Sequence, residues 1–226
     1  MKIIDVENLF AAVMRRDAGA LRALFAGGRV RLSLPSFGLI SSERIFRMLL
    51  AKIAVRFEQL KVEARCLNVG HAGRVLVAEY DLSYPFFDEE RNKEIRYSTP
   101  TAIVFDLNED GLATCATVYT GFDKFVGKEI IRPALYDAEP LLSQALPASV
   151  AAAYEAMKPE RLTEPCRVHL LPGRVCVEEN VLFTEGEICT PQAHLSVFVL
   201  APDGSVAERL DYGEIVWDFK LWPTLY

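Results

Sequence analysis

The chain has 226 residues, of which 51% are hydrophobic, with 25 Lys and Arg against 31 Asp and Glu for a formal net charge of −6. That length and apolar content suffice for one large packed domain or two small ones. The acidic balance offers no broad basic surface to neutralise phosphates, which disfavours nucleic acid and anionic membranes as partners and better fits a neutral or cationic small ligand. No run approaches the roughly 20 apolar residues of a membrane span. Lys2 and Asp5 interrupt the N-terminus before a signal peptide can develop, so the expected location is cytoplasmic. Cys66, Cys115, Cys166, Cys176 and Cys189 form no CxxC pair and read as reduced core residues, not metal ligands.

From Val6 to Phe25, Leu9, Phe10, Val13, Leu21, Leu24 and Phe25 recur at helical spacing, broken at Arg16-Asp17-Ala18-Gly19. This predicts a long helix, a tight break and a short second helix, stopped by Gly27-Gly28. Val30, Leu32 and Leu34 alternate as a short strand before Pro35. A further helix follows, capped by Ser41 or Ser42, with Ile45, Phe46, Leu49, Leu50 and Ile53 on one apolar stripe.

The period then becomes two, starting with Leu60, Val62, Ala64 and Cys66. A turn at His71-Ala72-Gly73, the polar stretch Asp88 to Lys93 and the turn Asn108-Glu109-Asp110-Gly111 separate strands at Val75 to Tyr84, Ile95 to Leu107 and Leu112 to Thr120. Helices followed by a meander of antiparallel strands predict an α+β fold in which a curved sheet wraps helices as a cone.

The remainder echoes the first part at an offset of about one hundred residues. Gly73-Arg74-Val75-Leu76-Val77-Ala78-Glu79 is matched by Gly173-Arg174-Val175-Cys176-Val177-Glu178-Glu179, and Val104-Phe105 with Asp110-Gly111 by Val197-Phe198 with Asp203-Gly204. A complete unit at 1–126 and a reduced repeat at 127–226 are expected, packed as an internal pseudo-dimer. Between Phe125 and Ser149 there is no room for the first two helices. The second sheet should therefore be left with an apolar face that must associate with the first unit or with another chain, which leaves room for a homodimer.

The helix break at Asp17 within Val6 to Phe25, together with the strand-turn-strand segment Val104 to Asp123, resembles the SnoaL-like branch of the nuclear transport factor 2-like superfamily. That branch includes polyketide cyclases and ketosteroid isomerases. The resemblance implies a cofactor-free enzyme (cyclase, isomerase, dehydratase or hydrolase) that works by acid-base chemistry on a mostly apolar metabolite. The alternative is a non-catalytic small-molecule-binding or protein-assembly module. The isomerase Tyr, base and second Asp fall near Leu9, Ser33 and Thr101 or Ala102, so none of those three groups is present. Nor is the Asp-Arg-Asp set of similar epoxide hydrolases.

Hydroxyls are the remaining candidates. Tyr80 and Tyr84 share one strand face, and Tyr97, Thr99 and Thr101 share a face of the next strand, so both sets can point into the cone. Tyr80, Tyr97 and Tyr119 are catalytic candidates as donors to a developing oxyanion, and Ser33, Tyr84, Thr99 and Thr101 are substrate-binding candidates. Strand parity does not choose a face for Tyr119 and Thr117. In the second unit His194, near the position of Thr101, can pair with Glu178 or Glu179 on the neighbouring strand as an acid-base group, and at most one of Glu208 and Asp211 can join it. His71 and His169 read as solvated or structural. The aromatic C-terminus, Trp217 to Tyr226, is expected to dock. No phosphate loop, metal cluster or nucleophile motif is recognisable.

Overall fold

The computed structural model describes residues 4–34, 38–88, 92–120, 145–156, 163–185 and 188–213. The tip of the charged loop after Asp88, the segment at Gly121-Phe122-Asp123 and the aromatic C-terminus lie outside the described residues. The side chains of Cys166 and Cys189 lie outside them too. The other three cysteines are free thiols.

The N-terminal segment folds as two helices of six residues each, α1 (Leu9–Met14) and α2 (Ala18–Ala23), so the expected long first helix is short. Arg16 adopts a left-handed φ of 56°, which ends α1. The Asp17 carboxylate then accepts from the Ala20 amide at 2.9 Å and starts α2. β1 (Leu32–Leu34) and β2 (Gly38–Ile40) form a small hairpin. α3 (Glu43–Leu60) is capped by Ser42 Oγ at the Ile45 amide, 3.5 Å, and ends at left-handed Lys61. Phe46, Leu49, Leu50, Ala54 and Phe57 are its buried face, whereas Ile45 points outward. Leu60 belongs to this helix, which delays the next strand to Glu63.

The long strands are β3 (Glu63–Ala72), β4 (Val75–Asp88), β5 (Lys93–Leu107) and β6 (Ala113–Thr120). They join the hairpin in a six-stranded sheet of order β2-β1-β6-β5-β4-β3, antiparallel except for the parallel β1-β6 pair. Register shifts at Cys66/Asn68 and Asp106/Leu107 are bulges of the kind that bend a sheet. The concave face packs its Leu76, Ala78, Tyr80, Leu82, Ile103 and Phe105 against α1, α2 and α3.

After α4 (Ala148–Glu155) come β7 (Thr163–Leu171), β8 (Arg174–Glu185), β9 (Ile188–Leu200) and β10 (Val206–Tyr212), an antiparallel sheet in sequential order. One face of this sheet, with Leu171, Cys176, Leu195, Val197 and Tyr212, lies on the outer face of the first sheet, with Val77, Ala102, Val104 and Tyr119. The other face, with Val168, Val175, Val177 and Phe198, is covered by Val150 and Tyr154 of α4. The layers thus run helices, sheet, sheet, helix. This is the α+β architecture expected from the sequence, with the surplus apolar face of the second sheet buried within the same chain.

The hairpin turns correct the sequence echo by one residue. Ala72 pairs with Val75 across Gly73-Arg74, whereas Leu171 pairs with Arg174 across Pro172-Gly173. β4 and β8 therefore correspond at an offset of 99, Val75 to Arg174, and β5 and β9 at 93, Phe105 to Phe198. A one-residue slip exchanges the two faces of a strand, so Glu178, not Glu179, is the counterpart of Glu79.

Candidate functional site

The first sheet and its helices frame a partly open pocket of about 150 Å³ whose walls include Leu9, Phe10, Phe46, Leu50, Phe57 and Phe105. Among the described residues its surface is hydrocarbon: Thr101 and Thr120 belong to the lining, but their hydroxyl oxygens bond to each other at 2.8 Å across β5 and β6 and present almost no polar surface to it. No ionisable group lines it among the described residues. An apolar pocket of this size offers a compact hydrocarbon contact surface and few polar partners.

The expected alternation holds along β4 and β5, where Tyr80 pairs with Thr101, Leu82 with Thr99 and Tyr84 with Tyr97. The hydroxyls nevertheless have different surroundings. Tyr80 donates to the Val6 carbonyl at 2.6 Å and packs edge-on against Phe10, so it ties down the N-terminal segment. Burial, with the nearby Cys66, Asp5 and Glu7, pushes its phenol up, and it remains a donor. Tyr84 and Tyr97 pack together with ring centroids 5.7 Å apart, away from the cavity lining. Thr99 is fully buried, and its hydroxyl has no hydrogen-bond partner among the described residues. Ser33 pairs with Thr117 and does not line the cavity. Tyr119 points into the seam between the sheets.

On the α4 side of the second sheet, His194 Nδ1 lies 2.9 Å from Glu179 Oε1. The same carboxylate accepts from Ser196 Oγ at 2.7 Å and from the Tyr154 hydroxyl at 2.7 Å. Burial works to raise the Glu179 carboxyl, but the contacts from His194, Ser196 and Tyr154 outweigh it and hold the group below the usual carboxylate range. An ionised Glu179 can only accept, so we assign the proton on Nδ1 to the side facing it. His194 Nε2 is buried and makes no hydrogen bond among the described residues; Asp211 Oδ1 stands 3.5 Å away. Asp211 accepts from Arg209 at 2.6 Å and from Ser196 at 3.2 Å. Of the acidic candidates, Glu179 and Asp211 join His194, and Glu178 does not. Sequence reasoning missed Ser196, Arg209 and Tyr154, although the two-residue spacing from His194 to Ser196 marks a shared face.

The seam itself holds a second ionic network. Glu178 accepts from Tyr119 at 2.5 Å and from Arg167 Nε at 2.6 Å, and lies 2.7 Å from His169 Nε2. Burial works to raise its pKa, and the contacts with His169, Arg167 and Tyr119 overcome that, bringing the carboxyl down to about 2. Arg167 also donates to Asp106 at 2.8 Å, yet burial leaves the Asp106 carboxyl raised. On the other side Glu79 accepts from Tyr212 at 2.6 Å and Asn68 at 2.9 Å, with Arg174 at 3.1 Å. Tyr119 and Tyr212 are counterparts at the β5/β9 offset, since they pair with Ala102 and Leu195 respectively. The contacts are therefore reciprocal: each sheet inserts its Tyr onto the other sheet's Glu, the pattern of an isologous two-fold interface.

A curved antiparallel sheet closed by three helices, with a short parallel strand beside its last long strand, places this chain in the nuclear transport factor 2-like fold class. No protein-family model and no curated protein matches the sequence. Among solved structures it is similar to a candidate SnoaL-like polyketide cyclase from Shewanella putrefaciens, at 12% identity over 49% of this chain and 73% of that one, TM-score 0.36. An LEH-like epoxide hydrolase from M. tuberculosis aligns at 18% identity over 51% and 78%, TM-score 0.35. A nuclear transport factor 2-like protein of unknown function from Cytophaga hutchinsonii aligns at 15% over 51% and 99%, TM-score 0.35. At these values the likeness carries no activity or residue role to this chain, and the fold class rests on the strand order and helix packing described above.

Proposed function

We propose that this chain is a binding protein for a compact, mostly apolar small molecule held in the cone of its first unit, and that its second sheet is a reduced duplicate docked as an internal pseudo-dimer. The hydrocarbon-lined pocket of about 150 Å³, with no ionisable lining residue among the described residues, carries the first part. Acid-base catalysis there would need a proton donor or acceptor in contact with the ligand, and threonine hydroxyls titrate far outside the working range. The reciprocal Tyr119–Glu178 and Tyr212–Glu79 pairs support the second part. The test is a thermal-shift and calorimetric titration of the full chain with toluene, whose binding to the native state raises the apparent stability. Val118→Phe places a ring in the void and abolishes the saturable shift. If toluene and other hydrocarbons of that size leave the wild-type melting curve unchanged, the cone is not a ligand pocket.

A second reading, acid-base chemistry as the family resemblance implies, is favoured by one observation: the buried Nε2 of His194 makes no hydrogen bond among the described residues, while Glu179 backs the opposite ring nitrogen. It is distinguished by nitrogen-resolved NMR of the histidines. An Nε2 that titrates and responds to added small polar compounds supports this reading; an Nε2 locked to Asp211 at every pH makes the cluster purely structural.

A further inference from the structure

The pocket of the first unit offers a polar group nothing. Thr101 and Thr120 bond to each other, and the rest of the described lining is hydrocarbon. A polar group carried inside would lose its water without replacement. Any polar group of a ligand therefore belongs at the rim, where the wall continues outward. On α3 the half-buried lining residue Ile53 is followed one turn later by Arg56, and Lys52 stands four residues before Arg56 on the same edge of the helix. On β4 the lining residue Leu82 is followed, two residues on and on the same face, by Tyr84. These two outward steps meet: burial holds the Tyr84 phenol above its ordinary pKa, and so uncharged, while the nearby Arg56 charge acts on it in the opposite sense.

The charges at this rim are unbalanced. On the opposite edge of α3, Glu43 holds Arg22 and Arg47, and Glu58 pairs with Arg16. Lys52 and Arg56 are half-buried and form no ion pair among the described residues. Like charges four residues apart on a helix repel each other, and an anion between them would turn that repulsion into attraction. Up to Leu60 the chain carries 10 Lys and Arg against 5 Asp and Glu, although the whole chain is net −6, so the helical layer over the pocket is basic within an acidic protein. We infer that the ligand is an amphiphile with one anionic head, its apolar body in the pocket and its head on Lys52 and Arg56 at the rim. This inference rests on the proposed binding function of the same pocket. At the rim the head keeps part of its hydration, so it escapes the desolvation cost of full burial while the two cations attract it.

The experiment titrates the intact chain by calorimetry with octanoate, 1-octanol and octylammonium, which present the same hydrocarbon chain under a negative, a neutral and a positive head. At low ionic strength octanoate should bind at least about fivefold tighter than octylammonium, the scale of two surface ion pairs gained against two repulsions. Raising the salt to about 0.5 M should remove most of that gap. The double variant Lys52→Gln/Arg56→Gln should bring the two charged heads to within about twofold of each other and leave 1-octanol unchanged. Arg44→Glu alters the net charge by the same amount at an exposed position of α3 and should leave the preference in place. If the double variant does not fold, each single Gln variant should show a smaller loss of the same preference. Equal binding of the two charged heads, or tighter octylammonium, overturns the inference and leaves the pocket standing, provided Val118→Phe abolishes the binding of all three. A preference that survives the double variant, or that Arg44→Glu removes equally, overturns it as well. If none of the three binds, or Val118→Phe changes nothing, the pocket itself falls and the inference with it.

Discussion

Replacing Glu178 by Gln should loosen the seam between the two sheets. The side chain keeps its shape but loses the charge that holds Arg167, His169 and the Tyr119 hydroxyl. Its pKa falls from the ordinary 4.5 to about 2 on folding, which at roughly 1.4 kcal/mol per pK unit amounts to about 3 kcal/mol of stability in the ionised state. Breaking a buried pair from one side costs roughly 3–5 kcal/mol by mutational precedent, so the two routes agree. Because the folded pKa is depressed, the stabilisation is fully present above pH 4.5 and is lost as the pH falls toward 2. Asp106, raised by burial, acts in the opposite sense and offsets a part of that loss. Chemical denaturation of wild type and Glu178→Gln at pH 7, 5, 4 and 3 tests this. At pH 7 the variant should be weaker by about 3 kcal/mol, or roughly 6–12 °C in melting temperature. The gap should then narrow below pH 4.5, because the carboxyl protonates in the unfolded wild type while it stays ionised in the folded one, which favours unfolding of the wild type alone. A gap below about 1 kcal/mol at pH 7, or one that stays constant down to pH 3, would refute the assignment of this carboxylate as a charged anchor of the seam.

Three further outcomes follow from the same contacts. Tyr212→Phe removes the donor to Glu79 and should cost about 1–3 kcal/mol, with a coupling to Glu79→Gln in a double-mutant cycle that resembles the one between Tyr119→Phe and Glu178→Gln. Tyr80→Phe keeps the ring and should cost only about 1 kcal/mol, but hydrogen exchange should speed up around Val6 and α1, where the lost hydrogen bond anchored the chain. At Gly70 an added Cβ would come within 2.8 Å of Leu171 Cδ1 across the seam, so Gly70→Ala should destabilise by roughly 1–3 kcal/mol, and Leu171→Ala in the same chain should relieve part of the clash.

Much of the first unit was legible because its signals are local. The switch from helical spacing to alternation, the helix break at Asp17 and the turn at Asn108-Gly111 each act within a few residues. Parity along β4 and β5 correctly aligned Tyr80, Tyr84, Tyr97, Thr99 and Thr101 on one face. What escaped depends on contacts far apart in the chain. The engagement of Tyr80 by the Val6 carbonyl spans 74 residues, and the direction of Tyr119 is decided by a sheet whose arrival no neighbouring residue announces. The sequence echo misled by one residue, since Gly73-Arg74 and Pro172-Gly173 place the two turns differently relative to the shared Gly-Arg-Val. That slip sends Glu178 to the seam and Glu179 to His194. Arg209, Ser196 and Tyr154 carry no motif and become neighbours of His194 only once three strands and a helix are assembled.

The reciprocal Tyr–Glu contacts have a consequence that separate subunits could not share. Between two identical polypeptides a substitution at such a contact is made twice, and dilution pulls the partners apart. In this chain Tyr119 and Tyr212 are separately encoded, and the two faces meet at an effective concentration set by their covalent connection, whatever the amount of protein in solution. Each half can therefore change independently of the other. The first sheet lines a hydrocarbon pocket with its concave face, while the second carries a histidine, two carboxylates and an arginine on its α4 side.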